Sequence, residues 1–207
     1  HSFAPSKSGT SIVSLGAGSN NTGTQDLYDA FEAGDLRKAT YLGVFKDGSN
    51  PKIYYWAKKF VYNVPVLNDG DNDWPVLRYS DVLLMYAEAL NQNDKTEEAL
   101  SYINKTRVRA GLSPLTGLSK EATQLAVEKE RRLELCFEGH RWHDLIRWGK
   151  EVATMQAFRS KYQSIDTRLS NMSITPDRKL FPVPYKEINL NPLLLPQNAG
   201  YLLCERS

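Results

Sequence analysis

Three glutamates, Glu130, Glu134 and Glu138, stand four residues apart, the spacing that stacks side chains on one helix face and could mimic paired catalytic carboxylates. Arg131, Arg132, Arg141 and Arg147 lie near enough in sequence to pair with this row and with the ends of other elements. A planar guanidinium binds carboxylates and backbone carbonyls alike, so the set reads as a structural ion and hydrogen-bond network. His140 and His143 are three apart, but no Cys, Glu or third His accompanies them at a metal-ligand spacing. His143 and Asp144 are helix neighbours pointing about 100° apart, which rules out a relay between them. Asp69, Asp71 and Asp73 alternate as in a calcium loop, yet Trp74 stands where that loop needs glycine and Ser80 where it needs a bidentate glutamate. Gly16-Ala17-Gly18 lacks the Gly-Lys-Ser/Thr ending of a phosphate loop, and no Ser or Cys is flanked by the glycines of a nucleophile elbow. The expectation is a chain with no catalytic residue, no metal and no cofactor.

Binding chemistry is better represented. Tyr54, Tyr55 and Trp56 are followed by Lys58 and Lys59, and such rings with adjacent cations can form a stacking platform for the flat faces of sugars or nucleobases. The competing reading, which carries more weight, is core. Strand alternation sends Tyr54 and Trp56 to one side and Tyr55 to the other, and at least one side should be buried. The candidate ligand-binding residues are therefore Tyr54, Tyr55, Trp56 and Trp74, with Lys58 in support.

These residues must be positioned mainly by helices. Ala122, Leu125, Ala126, Leu133, Cys136 and Phe137 recur at three and four and predict a long amphipathic helix ended by Gly139, with a shorter one over Arg141 to Trp148. Leu77 to Leu90 is apolar on nearly every side and reads as a buried core helix. Thr96 can cap a returning helix to Gly111, with Glu97 and Glu98 placed favourably in its first turn. Ala87, Leu90, Ala99, Ile103 and Gly111 follow the register of a tetratricopeptide hairpin, of which one unit is visible. Within Asp26 to Leu36 a short helix ended by Gly34 is expected, then strands or extended loops over 40 to 67 with Pro65 limiting any central strand role, and after Lys150 a weak helix to about Tyr162. A polar loop then leads to a tail kept extended by Pro182 and Pro184.

Composition bounds the rest. With 41% hydrophobic and 24% charged residues in 207, the chain is an ordinary globular one. Lys plus Arg number 26 against 24 Asp plus Glu, too even a balance to draw nucleic acid or an anionic membrane. Cys136 and Cys204 make no disulfide framework, and Cys136 reads as a buried thiol. No window approaches the roughly 18 apolar residues of a membrane span, and HSFAPSKSGT lacks the order of a signal peptide. The Ser/Gly/Thr/Asn-rich run through Thr24 resembles a loop inside a larger protein, so residues 1–24 are expected to be loop, 26–201 the helical region, and the whole a fragment.

Four ordered motifs resemble one family. Asp26-x-Tyr28-x-x-Phe31-Glu32-x-x-Asp35-x-Arg37 comes first, then Leu77-Arg78-Tyr79-Ser80-Asp81 through Asn91, continued by Ile103-Asn104 and Val108 to Leu112. Glu130 to Leu135 follows, with Phe137 to Arg141 and Asp144-Leu145-x-Arg147-Trp148-Gly149. The tail adds Pro182-x-Pro184, Asn191-Pro192 and Gln197-Asn198-x-Gly200-Tyr201. Together they resemble the SusD/RagB outer-membrane nutrient-binding lipoproteins of Bacteroidetes. That resemblance implies the C-terminal part of a mainly α, SusD-like superfold of tetratricopeptide-like hairpins and irregular loops. It also implies non-catalytic capture of a nutrient, usually a glycan or oligosaccharide, on the extracellular face of the outer membrane. Delivery would be to a SusC-like TonB-dependent transporter, and the membrane would be met only through an N-terminal lipid anchor not present in this sequence. Arg78, Tyr79, Asp81, Glu130, Arg131, Arg132, Glu138, Arg141, Asp144 and Arg147 would then hold the fold. A helical scaffold or peptide- and protein-binding module is the alternative.

Overall fold

The computed structural model describes residues 3–12, 18, 22–48, 52–61, 73–173 and 175–201. Gly16, Ala17, Pro65, Asp69, Asp71 and Cys204 lie outside the described residues. The chain divides into two compact units, His1–Arg141 and Trp142–Ser207, and it is mainly helical.

In the first unit, Ala4 and Ser8 are buried around a 3₁₀ turn at Ser6–Ser8, where only loop was expected. Strand β1 (Thr22–Gly23) leads to α1 (Gln25–Ala30), whose N-terminus is capped by the Thr24 hydroxyl accepting from the Leu27 amide at 3.2 Å. The helix expected to end at Gly34 already ends at Ala30, and a second helix follows the glycine. The chain becomes extended at Phe31, reverses at Gly34 with φ 83°, and starts again where Asp35 accepts from the Arg37 amide at 2.9 Å to open α2 (Leu36–Tyr41). Helix α2 runs directly into β2 (Leu42–Lys46), which pairs antiparallel with β3 (Ile53–Ala57). β3 also pairs antiparallel with β1, giving the order β1-β3-β2. Phe31, Leu42, Tyr55, Leu133 and Cys136 make the buried cluster on this sheet.

The larger core is built by α3 (Tyr79–Gln92), α4 (Thr96–Arg109) and α5 (Lys120–Glu134). Ala87 and Leu90 meet Ala99, Leu100, Ile103 and Val127, so the small-residue register of the hairpin lets the helices approach. Buried Asn91 joins all three: its amide nitrogen donates to the Lys120 carbonyl at 2.9 Å and its oxygen accepts from Thr96 at 3.0 Å. Thr96 is thus the first helical residue and not the cap. Helix α3 is not buried on every side, since Val82, Met85 and Tyr86 are exposed. Val108 and Leu125 are exposed as well. Helix α5 turns Thr123, Val127, Glu130 and Glu134 inward, a face offset from the apolar one expected. It stops at Glu134, ahead of Gly139, because Phe137 already takes a left-handed φ of 69° before Gly139 takes 85°.

Helix α6 (His140–Arg147) spans the division between the units. The second unit continues with α7 (Glu151–Tyr162), 3₁₀ turns at Thr167–Asn171 and Pro176–Lys179, and α8 (Tyr185–Leu190). Its proline segment is extended as expected and is held by the tail motif. The Gln197 amide accepts from the Val183 amide at 2.7 Å and donates to its carbonyl at 2.9 Å, and Asn198 donates to the Phe181 carbonyl at 2.7 Å.

Candidate ligand-binding surface

Strand β3 separates the three aromatic residues of its run. Tyr55 is buried, its hydroxyl donating to Gln25 Oε1 at 2.5 Å and its ring 4.9 Å from that of Tyr28. Trp56 is buried too. Its cross-strand partner is Gly43, and a Cβ there would collide with the indole, so glycine is what admits the ring. Tyr54 alone stays half-exposed, 6.2 Å from the Phe45 ring and with Lys52 Nζ 5.1 Å over its face. Lys58 is exposed and donates to the Ala39 carbonyl at 3.1 Å.

Trp74 lies at the other exposed ring surface. It is 50% exposed, tilted on Phe60 with centroids 5.0 Å apart, and Phe60 in turn lies 5.5 Å from Phe3. Neither Phe60 nor Phe3 was a sequence candidate. Phe60 stands in the aromatic run that offered Tyr54 to Trp56, whereas Phe3 has no local signal at all. The described ring contacts do not join Tyr54 to Trp74.

The turn carrying Phe60 is fixed by Lys59. Its ammonium donates to the Glu134 carbonyl at 2.8 Å, pairs with Glu138, and lies 4.1 Å over the Tyr41 ring. Burial pulls Lys59 below the usual lysine range, and Glu138 opposes that shift.

Lys59 is one edge of a larger network centred on the glutamate row. Arg37, on α2, reaches Glu130 at 2.5 Å, Glu134 at 3.2 Å and Asp35 at 2.8 Å. Arg78 donates to both Glu138 oxygens at 2.7 and 2.8 Å and to Glu134 at 3.2 Å. Arg109 donates to Glu134 at 2.6 Å, and Arg107 forks onto Glu32 at 2.9 and 3.2 Å. These cations lie far from the row in sequence. Arg131 is buried on Asp81 at 2.7 Å, Arg132 pairs with Asp26 at 2.5 Å, and Arg147 with Asp144 at 2.9 Å. A residue adjacent to the row points about 100° away from it, so the row's partners must come from facing elements. Tyr79 departs from its fold-holding expectation, with 72% of its surface exposed.

Electrostatics follow from this packing. Burial opposes ionisation of Glu134, but Arg109, Arg78 and Arg37 outweigh it and hold its pKa below the usual range. At Glu130 burial wins over Arg37 and the pKa rises. Each carboxylate of the row is thus engaged by cations, which is an arrangement for bracing. Burial also pushes the Cys136 thiol up to about 12, and Cys136 is free. Among the described residues no three His, Cys, Asp or Glu side chains gather as a metal site requires. No described helix is long and apolar enough to cross a membrane.

The model of the SusD family matches residues 14–201. The chain belongs to the SusD family. It is 34% identical over 191 residues to SusD-like protein P25 of Formosa agariphila, covering 87% of this chain and 35% of that protein. Among solved structures, a SusD superfamily protein from Parabacteroides distasonis is similar over 96% of this chain and 46% of its own, at 29% identity and a TM-score of 0.72. A SusD-like carbohydrate binding protein from Bacteroides vulgatus matches at 26% identity and a TM-score of 0.50, over 59% of this chain and 26% of its own. This SusD-family chain spans about a third of the length of the first curated relative and just under half of the first solved structure.

Proposed function

We propose that this chain takes part in non-catalytic capture of a glycan or oligosaccharide at the cell surface. It does so as part of an outer-membrane lipoprotein on the extracellular face that passes its cargo to a SusC-like TonB-dependent transporter. Membership of the SusD family and the carbohydrate binding named for the Bacteroides vulgatus relative support the ligand class. The observation that carries the reading in this chain is Trp74, half-exposed and backed by Phe60 and Phe3. A ring held from behind presents a rigid face to the C–H face of a sugar at little entropic cost. Tyr54 offers a second, smaller and half-buried ring, while Tyr55 and Trp56 support the sheet that presents it.

Calorimetry against a panel of oligosaccharides tests this. One or more should bind, and Trp74→Ala should weaken that binding by about 1–3 kcal/mol, the range measured for a stacked ring. A peptide- or protein-binding role is the second reading, favoured by exposed Val76, Leu77 and Tyr79 close to Trp74 in sequence. Heat from peptides and none from any glycan would decide for it.

A further inference from the structure

The ring pair of Phe60 and Trp74 is assembled from two stretches of chain that share one anchor. Phe60 follows Lys59, and Trp74 stands four residues ahead of Arg78, with Pro75 restricting the backbone between them. Lys59 Nζ and Arg78 Nη2 both donate to the Glu134 carbonyl, at 2.8 and 3.1 Å. Both also meet Glu138, whose carboxylate pairs with Lys59 and accepts from Arg78 on its two oxygens at 2.7 and 2.8 Å. Glu134 is the last residue of α5, and the Glu138 amide that a continuing helix would give to its carbonyl donates to Leu135 instead, at 3.2 Å. Cations are the favoured partners at such a helix end.

Glu138 is held in place by its own backbone. It lies between Phe137 and Gly139, left-handed at φ 69° and 85°, and a phenylalanine keeps that conformation only where the surrounding structure over-determines it. The Glu138 side chain is 1% exposed, so its carboxylate depends on these cations for compensation and they are fixed by it in turn. We propose that Glu138 is the positioning residue of the ligand-binding surface: by drawing Lys59 and Arg78 onto one carboxylate, it seats Phe60 against Trp74 and fixes the attitude in which Trp74 meets its ligand. The assignment rests on the glycan reading above and adds that affinity is governed from the end of α5, by a buried group that does not itself touch the sugar. A ring immobilised beforehand loses little freedom when a sugar stacks on it, whereas a loosened ring loses more, and the difference is read as affinity.

The four tryptophans supply the test. With 5-fluorotryptophan incorporated, fluorine NMR reports Trp56, Trp74, Trp142 and Trp148 separately, and Trp74→Phe identifies the Trp74 signal. Glu138→Gln should shift the Trp74 signal and leave the other three, with buried Trp56 in the same unit reporting an intact fold. It should also weaken binding of the tightest oligosaccharide of the calorimetric panel about tenfold, the cost of immobilising one freed ring. In a Trp74→Ala background no ring is left to position, so the same change should then cost about twofold or less. Equal weakening in both backgrounds would make Glu138 a general brace and overturn the proposal. Should Glu138→Gln disturb Trp56 as well, Lys59→Gln, which removes one of the two cations, is taken through the same cycle and read in the same way; a disturbed Trp56 there too overturns the proposal. Oligosaccharide binding by the wild type, with the Trp74 signal and the affinity unmoved by Glu138→Gln, overturns the positioning role while leaving the function standing. No oligosaccharide binding at all, with Glu138→Gln still shifting Trp74 alone, overturns the function and upholds the anchor.

Discussion

Arg37 holds together more of the first unit than any neighbouring side chain. Its guanidinium bonds Asp35 on its own turn and Glu130 and Glu134 on α5, and all four groups are buried. Removing the cation would leave Glu130 with the Thr106 side chain and with Arg107 at 3.8 Å. Arg37→Leu is expected to cost about 3–5 kcal/mol, the penalty for a buried ion left without its partner. Arg37→Lys should fall between, since a single ammonium cannot span Asp35 and Glu130 together. Urea denaturation of both variants measures this, and equal loss from Leu and Lys would show that shape, not charge, is what counts. The same network sets the acid limit of stability. Hydrogen bonding from Arg107, opposed by partial burial and aided by Lys129, lowers the Glu32 pKa from 4.5 to about 2. A lowered folded-state pKa gives stability that is full above 4.5 and lost as pH falls towards 2. The melting temperature should therefore drop across that window, and Glu32→Gln should flatten part of the drop; an unchanged slope would place the acid sensitivity elsewhere.

At the scale of elements, the contact between β2 and β3 shows how a strand pair was shaped around one ring. Gly43 is extended backbone opposite Trp56, and any side chain there meets the indole. Gly43→Ala should cost about 1–3 kcal/mol by overpacking. In a Trp56→Leu background, where space has been made, the same change should cost much less; an equal cost in both backgrounds would exclude ring packing as the cause. The α3–α4 hairpin was legible beforehand because Ala87, Leu90, Ala99 and Ile103 carry its register in apolar residues. Helix α5 was only half legible. Periodicity counts glutamate as an outward residue, yet Glu130 and Glu134 are buried, and the cations that make this possible lie on α2, just ahead of α3 and on α4, beyond any local window. Helix α2 was missed for a related reason: six residues are too few to show a period. The candidate site was legible in composition but not in exposure. Tyr54, Tyr55 and Trp56 are chemically alike in sequence, and only the glycine opposite Trp56 and the cluster around Tyr55 decide which rings are buried.

Across the whole chain, burial is unevenly distributed. Helices α3, α4 and α5 contain Leu84, Ala87, Ala99, Leu100, Ile103, Val127 and Leu133, none more than 2% exposed. In the second unit the segment from Leu180 to Leu195 leaves Leu180, Phe181, Leu190 and Leu193 more than 60% exposed, and the hydrogen bonds of Gln197 and Asn198 are what hold its extended part. Opening free energies follow buried contact and protected hydrogen bonds, so the two regions should separate in native-state hydrogen exchange. Amides in the middle of α4 and α5 should be the last to exchange, near the global unfolding limit, and those of α8 and the turns around it among the first. Gln197→Ala removes both bonds to Val183 and should speed exchange at Val183 while leaving α4 and α5 unchanged. Acceleration in α4 and α5 as well would mean that the chain opens as one cooperative body, contrary to the division of its packing.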